Sequence, residues 1–177
     1  LVQGFYGAGN LGDDVMLTVL LGWLRSQGIQ PTVLAENAAR VERTFHVPAV
    51  QKVPLLGQWG WPANWLDGSA AAVVRRIAAH DALVLGGGDL LRDDRGWKNF
   101  FYSMETVLLA LALRKPLYLV NVGLGRPRTR YGRWAMRFML RRARFVLVRD
   151  RRSVDVCAEF GGADRCRVHA DVSRHRL

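Results

Sequence analysis

Cysteine is scarce in this sequence: Cys157 and Cys166 are the two among 177 residues, too few for a disulfide framework and without the spacing of a zinc site. Long apolar runs are also missing. The longest, Val107 to Leu113, falls short of the roughly 20 residues that span a bilayer and sits inside an amphipathic helical pattern. No basic stretch followed by an apolar segment and a small-residue cleavage site marks a secretory signal. Together these absences lead to the expectation of a chain kept in a reducing cytoplasm. Negative charge is short as well. Fifteen acidic residues face 26 basic ones, giving a net charge of +11 carried mostly by arginine and crowded between Arg126 and Arg152. Such a balance implies an anionic partner: a phosphorylated substrate, a membrane surface or nucleic acid. Zinc-finger spacing, a helix-turn-helix pattern and an RNA-binding aromatic sheet motif are all lacking, so no nucleic acid is expected.

What is present alternates. Strand patterns at Val2–Tyr6, Thr32–Ala35, Val47–Val53, Ala82–Leu85, Leu117–Val122, Phe145–Val148 and Arg167–His169 are separated by helical ones. The helices are expected at Leu11–Ser26, Glu36–Phe45, Ser69–His80, Met104–Arg114, Tyr131–Arg144 and Arg151–Phe160. Pro54 to Gly68 reads as a loop in which Trp59, Trp61 and Trp65 either pack under the domain edge or meet a ligand. Near-continuous apolar strands alternating with helices predict one α/β domain over residues 1–177, a doubly wound parallel sheet with right-handed crossovers.

In such sheets ligands bind beyond the carboxyl ends of the strands. Three glycine clusters fall there: Gly7-Ala8-Gly9-Asn10-Leu11-Gly12, Gly86-Gly87-Gly88 and Gly123-Leu124-Gly125. Glycines let backbone approach a ligand and turn N–H groups toward an anion, so the clusters are expected to converge on one rim around a phosphorylated ligand. The first cluster also matches the G-x-G-x-x-G dinucleotide fingerprint, with Glu36 where a ribose-binding acid would stand. That leaves a nicotinamide-dependent oxidoreductase as a rival reading. Against it stand Asp13 and Asp14, whose carboxylates occupy the first turn of the helix and would repel a pyrophosphate. A non-catalytic basic, anion-binding module is the third reading. No cluster of metal ligands stands out.

The motif series Tyr6-Gly7-Ala8-Gly9-Asn10-Leu11-Gly12-Asp13, Leu85-Gly86-Gly87-Gly88-Asp89-Leu90-Leu91, Gly123-Leu124-Gly125, Val148-Arg149-Asp150 with Ser153, and His169-Ala170-Asp171-Val172 resembles the polysaccharide pyruvyl transferase family. The likeness covers nearly the whole chain and matches the family's N-terminal half. It implies a Rossmann-like domain resembling the N-terminal one of a glycosyltransferase-B architecture, expected as half of a two-domain enzyme, with no C-terminal domain in these residues. The chain's start without methionine inside a strand pattern fits the same expectation of a fragment. The resemblance further implies transfer of the enolpyruvyl unit of phosphoenolpyruvate, the donor substrate, to a sugar or lipid-linked saccharide of a cell-wall or extracellular polysaccharide, with no cofactor. Carried onto this chain, Asn10 and Asp13 become the catalytic candidates, Asp13 as a cap or an acceptor-side base. Gly7, Gly9, Gly12, Gly86, Gly87, Gly88, Asp89, Gly123, Gly125, Arg126 and Arg149 become substrate-binding candidates. Arg149 would meet phosphate or carboxylate bidentately, or pair with Asp150 or Asp171. Arg126 stands between Gly125 and Pro127, where the family usually places proline at once. The family's C-terminal histidine has no counterpart here, and His169 reads as structural, so the chain alone is expected to be inactive.

Arginines 133, 137, 141 and 144 recur at helical spacing, with Trp134, Phe138 and Met139 read on other faces. This basic amphipathic pattern suits peripheral contact with the inner face of a membrane, or a solvated outer surface.

Overall fold

The computed structural model describes residues 1–55, 61–88 and 97–168, with backbone alone for residue 61 and residues 97–102. Among the described residues, seven parallel strands form one sheet: β1 (Val2–Gln3), β2 (Val33–Ala35), β3 (Ala49–Gln51), β4 (Leu83–Gly86), β5 (Leu117–Val122), β6 (Ala143–Val148) and β7 (Cys166–Val168). Their order is β3-β2-β1-β4-β5-β6-β7, so the direction of winding reverses between β1 and β4. That reversal is where a doubly wound sheet opens a crevice.

Helices α1 (Leu11–Ser26) and α2 (Ala38–Phe45) lie on one face, where Leu17, Leu21 and Leu24 pack with Val2, Val33, Ala35 and Val41. The other face carries α4 (Ser69–Ala79), α5 (Trp97–Ala112), α6 (Arg130–Arg142) and α7 (Arg151–Glu159), packed over Leu34, Leu85, Leu119 and Val146. The short α3 (Trp61–Leu66) precedes α4, and a 3-10 turn at Ala163–Arg165 leads into β7. Strands buried on both faces explain their continuous apolar composition, and each fully buried leucine contributes about 2 kcal/mol of transfer free energy.

Local capping sets the helix starts. The side chains of Asn10, Asn37, Thr129 and Asp150 accept from the backbone N–H of Gly12, Arg40, Gly132 and Ser153, respectively. The α1 bounds match the sequence expectation; several others move. Pro54–Gly68 is not all loop: α3 starts with Trp61-Pro62, a position where proline's missing N–H costs nothing. Trp65 donates its indole N–H to the Leu55 carbonyl at 2.9 Å, tying that helix to the exit of β3. Of the other loop tryptophans, Trp59 and the Trp61 side chain lie outside the described residues. Helix α5 begins before Met104, across an aromatic-rich turn whose propensity is weak. Helix α6 ends at Arg142, and β6 starts at once with the buried Ala143, so Arg144 belongs to a strand. Residue 169, expected in the last strand, lies outside the described residues.

The largest departure is at β1, expected to run to Tyr6 but ending at Gln3. The chain folds back so that the Tyr6 ring occupies the space beside Gly4. A Cβ on Gly4 would stand 2.5 Å from Tyr6 Cε2 and 2.6 Å from the Gly86 carbonyl oxygen. The same ring reaches β4: a Cβ on Gly86 would lie 2.7 Å from the Tyr6 hydroxyl and 3.0 Å from Leu20 Cδ2. Tyr6 is buried, and its hydroxyl has no hydrogen-bond partner among the described residues. Its presence therefore acts through shape. Gly86→Ala is expected to cost about 2 kcal/mol by overpacking, and Tyr6→Phe should recover a measurable part of that loss by deleting the opposing oxygen. Urea unfolding of the two single variants and the double variant checks this; strictly additive losses would show that Tyr6 does not impose the glycine.

Candidate functional site

The three glycine turns do meet. Gly7, with φ +84°, is pressed against α2, where an added Cβ would stand 2.7 Å from the Asn37 carbonyl oxygen. Gly9, at φ +87°, makes the exposed turn below Arg40, whose Nη1 is 3.0 Å from its Cβ position. Asn10 then opens α1: its Oδ1 accepts from Gly12 N at 3.0 Å, and its Nδ2 donates to Asp13 Oδ2 at 2.9 Å. Asn10 thus holds the cap, and Asp13 is one turn further on, aimed across the crevice. Asp13 Oδ1 is 3.3 Å from the Cβ position of Gly88, at the end of the second cluster. The third cluster is stitched to the second, because Gly123 N donates to the Gly88 carbonyl at 3.1 Å and Gly87 N to that of Val120, also at 3.1 Å. Those two N–H groups are spent inside the protein. What Gly86–Gly88 supply at the rim is close backbone approach, with Gly87 and Gly88 at φ +74° and +69°.

Beyond Gly123 the rim continues onto β6 and α7. Gly123, Leu124, Gly125, Arg149, Asp150, Arg152 and Ser153 line a concavity of about 190 Å³. Asp150 caps α7 and accepts from the Ser153 hydroxyl at 2.9 Å, and that hydroxyl oxygen in turn accepts from Leu124 N at 3.0 Å. Burial would push the Asp150 carboxyl up, but hydrogen bonds from Ser153 and Arg149 outweigh it and hold the group below the usual aspartate range. Arg149 Nε donates to Asp150 Oδ2 at 3.1 Å, so the ion-pair reading of this residue holds in the structure, while its half-exposed guanidinium still lines the concavity. Arg126 points elsewhere, with Nε 2.8 Å from Glu159 in an exposed pair worth little. Asp89 and Asp171 lie outside the described residues.

The two ends of this rim differ in charge. On the α1 side Asp14 pairs with Arg40 at 2.7 Å, and Asp13 is buried, its carboxyl pushed above the usual range by desolvation and by Asp14, against the Asn10 hydrogen bond. On the β6 side Arg149 and Arg152 face the opening. Among the described residues no group of three or more His, Cys, Asp or Glu side chains is placed to hold a metal.

The pattern reading missed a buried charge cluster at the carboxyl ends of β2 and β3. Lys52 follows β3, is 3% exposed, and feels Glu36 after β2 and Glu105 on α5. Glu105 Oε2 also accepts from Leu55 N at 2.9 Å. Glu36, the acid the dinucleotide reading needs on the ribose, therefore faces a buried lysine. With two aspartates already in the first turn of α1, both halves of the dinucleotide fingerprint are occupied by protein groups. No local signal marks Lys52 or Glu105, because the partners lie on elements far apart in sequence.

A Rossmann-like, doubly wound α/β fold with a candidate site at the β1/β4 switch is thus the class of protein present. The chain belongs to the polysaccharide pyruvyl transferase family, whose model matches residues 10–172. Its fold is similar to the crystal structure of Acinetobacter baumannii MurG, with a TM-score of 0.55 and 17% identity over 94% of this chain. The chain spans 43% of that MurG chain. The likeness accords with the glycosyltransferase-B type of domain expected from sequence. No curated protein matches the sequence significantly.

Burial pushes the Lys52 ammonium down to about 8 from 10.5, with Glu36 and Glu105 pulling the other way. Between those two values the unfolded chain binds the proton that the folded chain releases, so this group adds stability as pH rises through that window. Lys52→Met should abolish that rise. At pH near 7 it should cost roughly 3 kcal/mol by stranding two carboxylates, and the cost should shrink as pH falls, because burial raises the Glu36 carboxyl above the usual glutamate range. Urea unfolding across pH tests this. Wild-type stability and an unchanged pH profile in the variant would contradict the buried charge cluster.

Proposed function

We propose that the protein containing this chain transfers the enolpyruvyl unit of phosphoenolpyruvate to a saccharide of a cell-wall or extracellular polysaccharide, forming a pyruvate ketal and releasing phosphate. The observation that carries this reading, beside family membership, is the polarity of the rim: cationic at Arg149 and Arg152, carboxylate at Asp13, with glycine turns between.

The chemistry divides in the same way. Protonation of the donor's methylene carbon leaves oxocarbenium character at C2. One sugar hydroxyl adds there and gives up its proton; a second then displaces phosphate as the C2–O bond to it breaks. Two anionic groups on the donor need fixed cations, and guanidinium groups meet carboxylate or phosphate bidentately. An incoming neutral hydroxyl needs an acceptor for its proton. Arg149 and Arg152 suit the first task. Asp13 suits the second: its burial makes it a stronger base than an ordinary aspartate, and Asn10 holds it in one orientation. Gly88, whose Cβ position lies 3.3 Å from Asp13 Oδ1, keeps the backbone of the second turn close to that carboxylate. The transfer draws on no cofactor beyond the donor substrate. The remaining groups, including the acid that protonates the methylene carbon, would come from the rest of the protein.

The test is phosphate release from phosphoenolpyruvate by the full-length protein with a panel of saccharide acceptors. Arg149→Lys is expected to lower kcat/KM on the order of 100-fold, because lysine cannot reproduce the forked contact. Asp13→Asn should lower kcat by a similar factor with little change in donor KM. Thermal stabilisation by NAD or NADP but not by phosphoenolpyruvate, with no phosphate release for any acceptor, would overturn the reading in favour of the oxidoreductase. Salt-dependent anion binding without turnover would favour the non-catalytic module.

A further inference from the structure

Helix α6 holds five arginines and no acidic residue in 13 positions. Its inner side is apolar: Ala135, Met136, Met139 and Leu140 are completely buried. At about 100° per residue, the outer side orders into three bands. Arg130, Arg133, Arg137 and Arg141 form one flank, Tyr131, Trp134 and Phe138 the crest, and Arg142 the other flank. Trp134 and Phe138 therefore share the outer surface with the arginines, in place of the separate faces expected from sequence, and Met139 is in the core. Arg144 lies on β6, outside this surface.

The crest is aromatic and is exposed at Trp134 and Tyr131, with Phe138 half-buried beside them. Trp134 is 51% and Tyr131 45% accessible. Trp134 stacks on Phe138 at 5.4 Å and 17°, Tyr131 sits 5.9 Å from Trp134, and the Arg142 guanidinium lies 5.3 Å from the Phe138 centroid. A cationic concavity of about 320 Å³ extends the patch past the end of α6, lined by Arg141, Arg165, Gly161, Gly162 and one acid, Asp164. Arg165 donates to the Arg141 carbonyl and fixes the two together.

We propose that this outer face of α6 docks on the surface of an anionic lipid bilayer. The arginine flanks meet headgroup phosphates, and the exposed Trp134 ring enters the interfacial layer, where amphipathic rings are favoured. Charge complementarity selects an anionic partner, and the ring geometry selects among anionic partners. A nucleobase stacks on an open ring face, whereas Trp134 is already stacked on Phe138, whose ring also carries the Arg142 guanidinium. Contact is superficial, since among the described residues no helix is long and apolar enough to cross a membrane.

The experiment is co-sedimentation of the full-length protein with phosphatidylcholine vesicles, pure or containing about one-third phosphatidylglycerol. Binding is expected to the anionic vesicles only and to weaken with salt. Arg130→Gln with Arg133→Gln should weaken it roughly 25-fold, at about fivefold per basic residue, and Trp134→Ala about tenfold. All three side chains are exposed, so thermal unfolding checks that the fold is kept. Phosphate release with a soluble acceptor should stay at the wild-type level, which separates failure here from failure of the proposed reaction. Equal binding to neutral vesicles, or wild-type partition by either variant, would overturn the proposal. So would an oligonucleotide or acidic peptide that binds more tightly than the vesicles and is lost in the same variants.

Discussion

The fit of the Tyr6 ring between two backbones is the constraint on which the rim depends. The ring lies where side chains at positions 4 and 86 would otherwise go, so β1 and β4, adjacent at the point where winding reverses, are locked at their carboxyl ends by one wedge. Because the wedge ends β1 after Gln3, the first glycine cluster starts early and crosses toward α2. Because it leaves no room beside Gly86, the second cluster stays close and hands its carbonyl at Gly88 to Gly123. Three turns from distant parts of the sequence thus form one continuous edge. Burial of a hydroxyl without a partner among the described residues is normally unfavourable by 1–3 kcal/mol, and its persistence here accords with a role in shape.

Charge along that edge is sorted as well. Carboxylates gather where α1 begins, and each is restrained: Asp13 by Asn10, Asp14 by Arg40, Glu36 opposite Lys52. Guanidinium groups gather where α7 begins, around the tightly bonded Asp150–Ser153–Leu124 corner. A helix N-terminus favours anions, and the protein uses that preference differently at the two ends. At α1 its own acids fill the position; at α7 the single capping aspartate is shared with Ser153, and two arginines stand beside it. The field across the crevice therefore points one way, and a ligand that is anionic at one end and neutral at the other has one favourable orientation in it.

Much of this was legible because it is local. The apolar 3.6-residue repeat over Leu11–Ser26 locates α1, and apolar runs ending in glycine locate the strand exits. The shortening of β1 was not legible, since nothing near Gly4 says that a ring two residues later will need its space. Lys52 and Glu105 escaped for a similar reason: one lysine after a strand and one glutamate within a helix carry no pattern until the fold buries both. In α6 the spacing was read but its phase was not. Trp134, Phe138 and Arg141 sit within a narrow arc, and only the burial of Met136, Met139 and Leu140 shows that this arc faces outward. The positions that sequence left open are those set by contacts across elements.

The placement of α6 links the surface to the rim. In a parallel sheet each helix begins at the carboxyl edge of the preceding strand, so α6 starts on the ligand side, within a few residues of Gly123–Gly125, and runs about 20 Å away from it. Arg130 and Tyr131 therefore stand at the end nearest the crevice, while Arg141 and Arg142 stand at the far end. If that surface rests on lipid, the crevice opens at the edge of the contact. An acceptor saccharide on a lipid carrier could then approach the turns with its lipid still in the membrane. Arg149 and Arg152 line the crevice beside Gly123–Gly125, on the same side as the start of α6, while Asp13 lies on the α1 side. An anion held by those arginines would then lie close to the end of α6 that meets the lipid, and the charges sorted along the rim would set its position relative to Asp13.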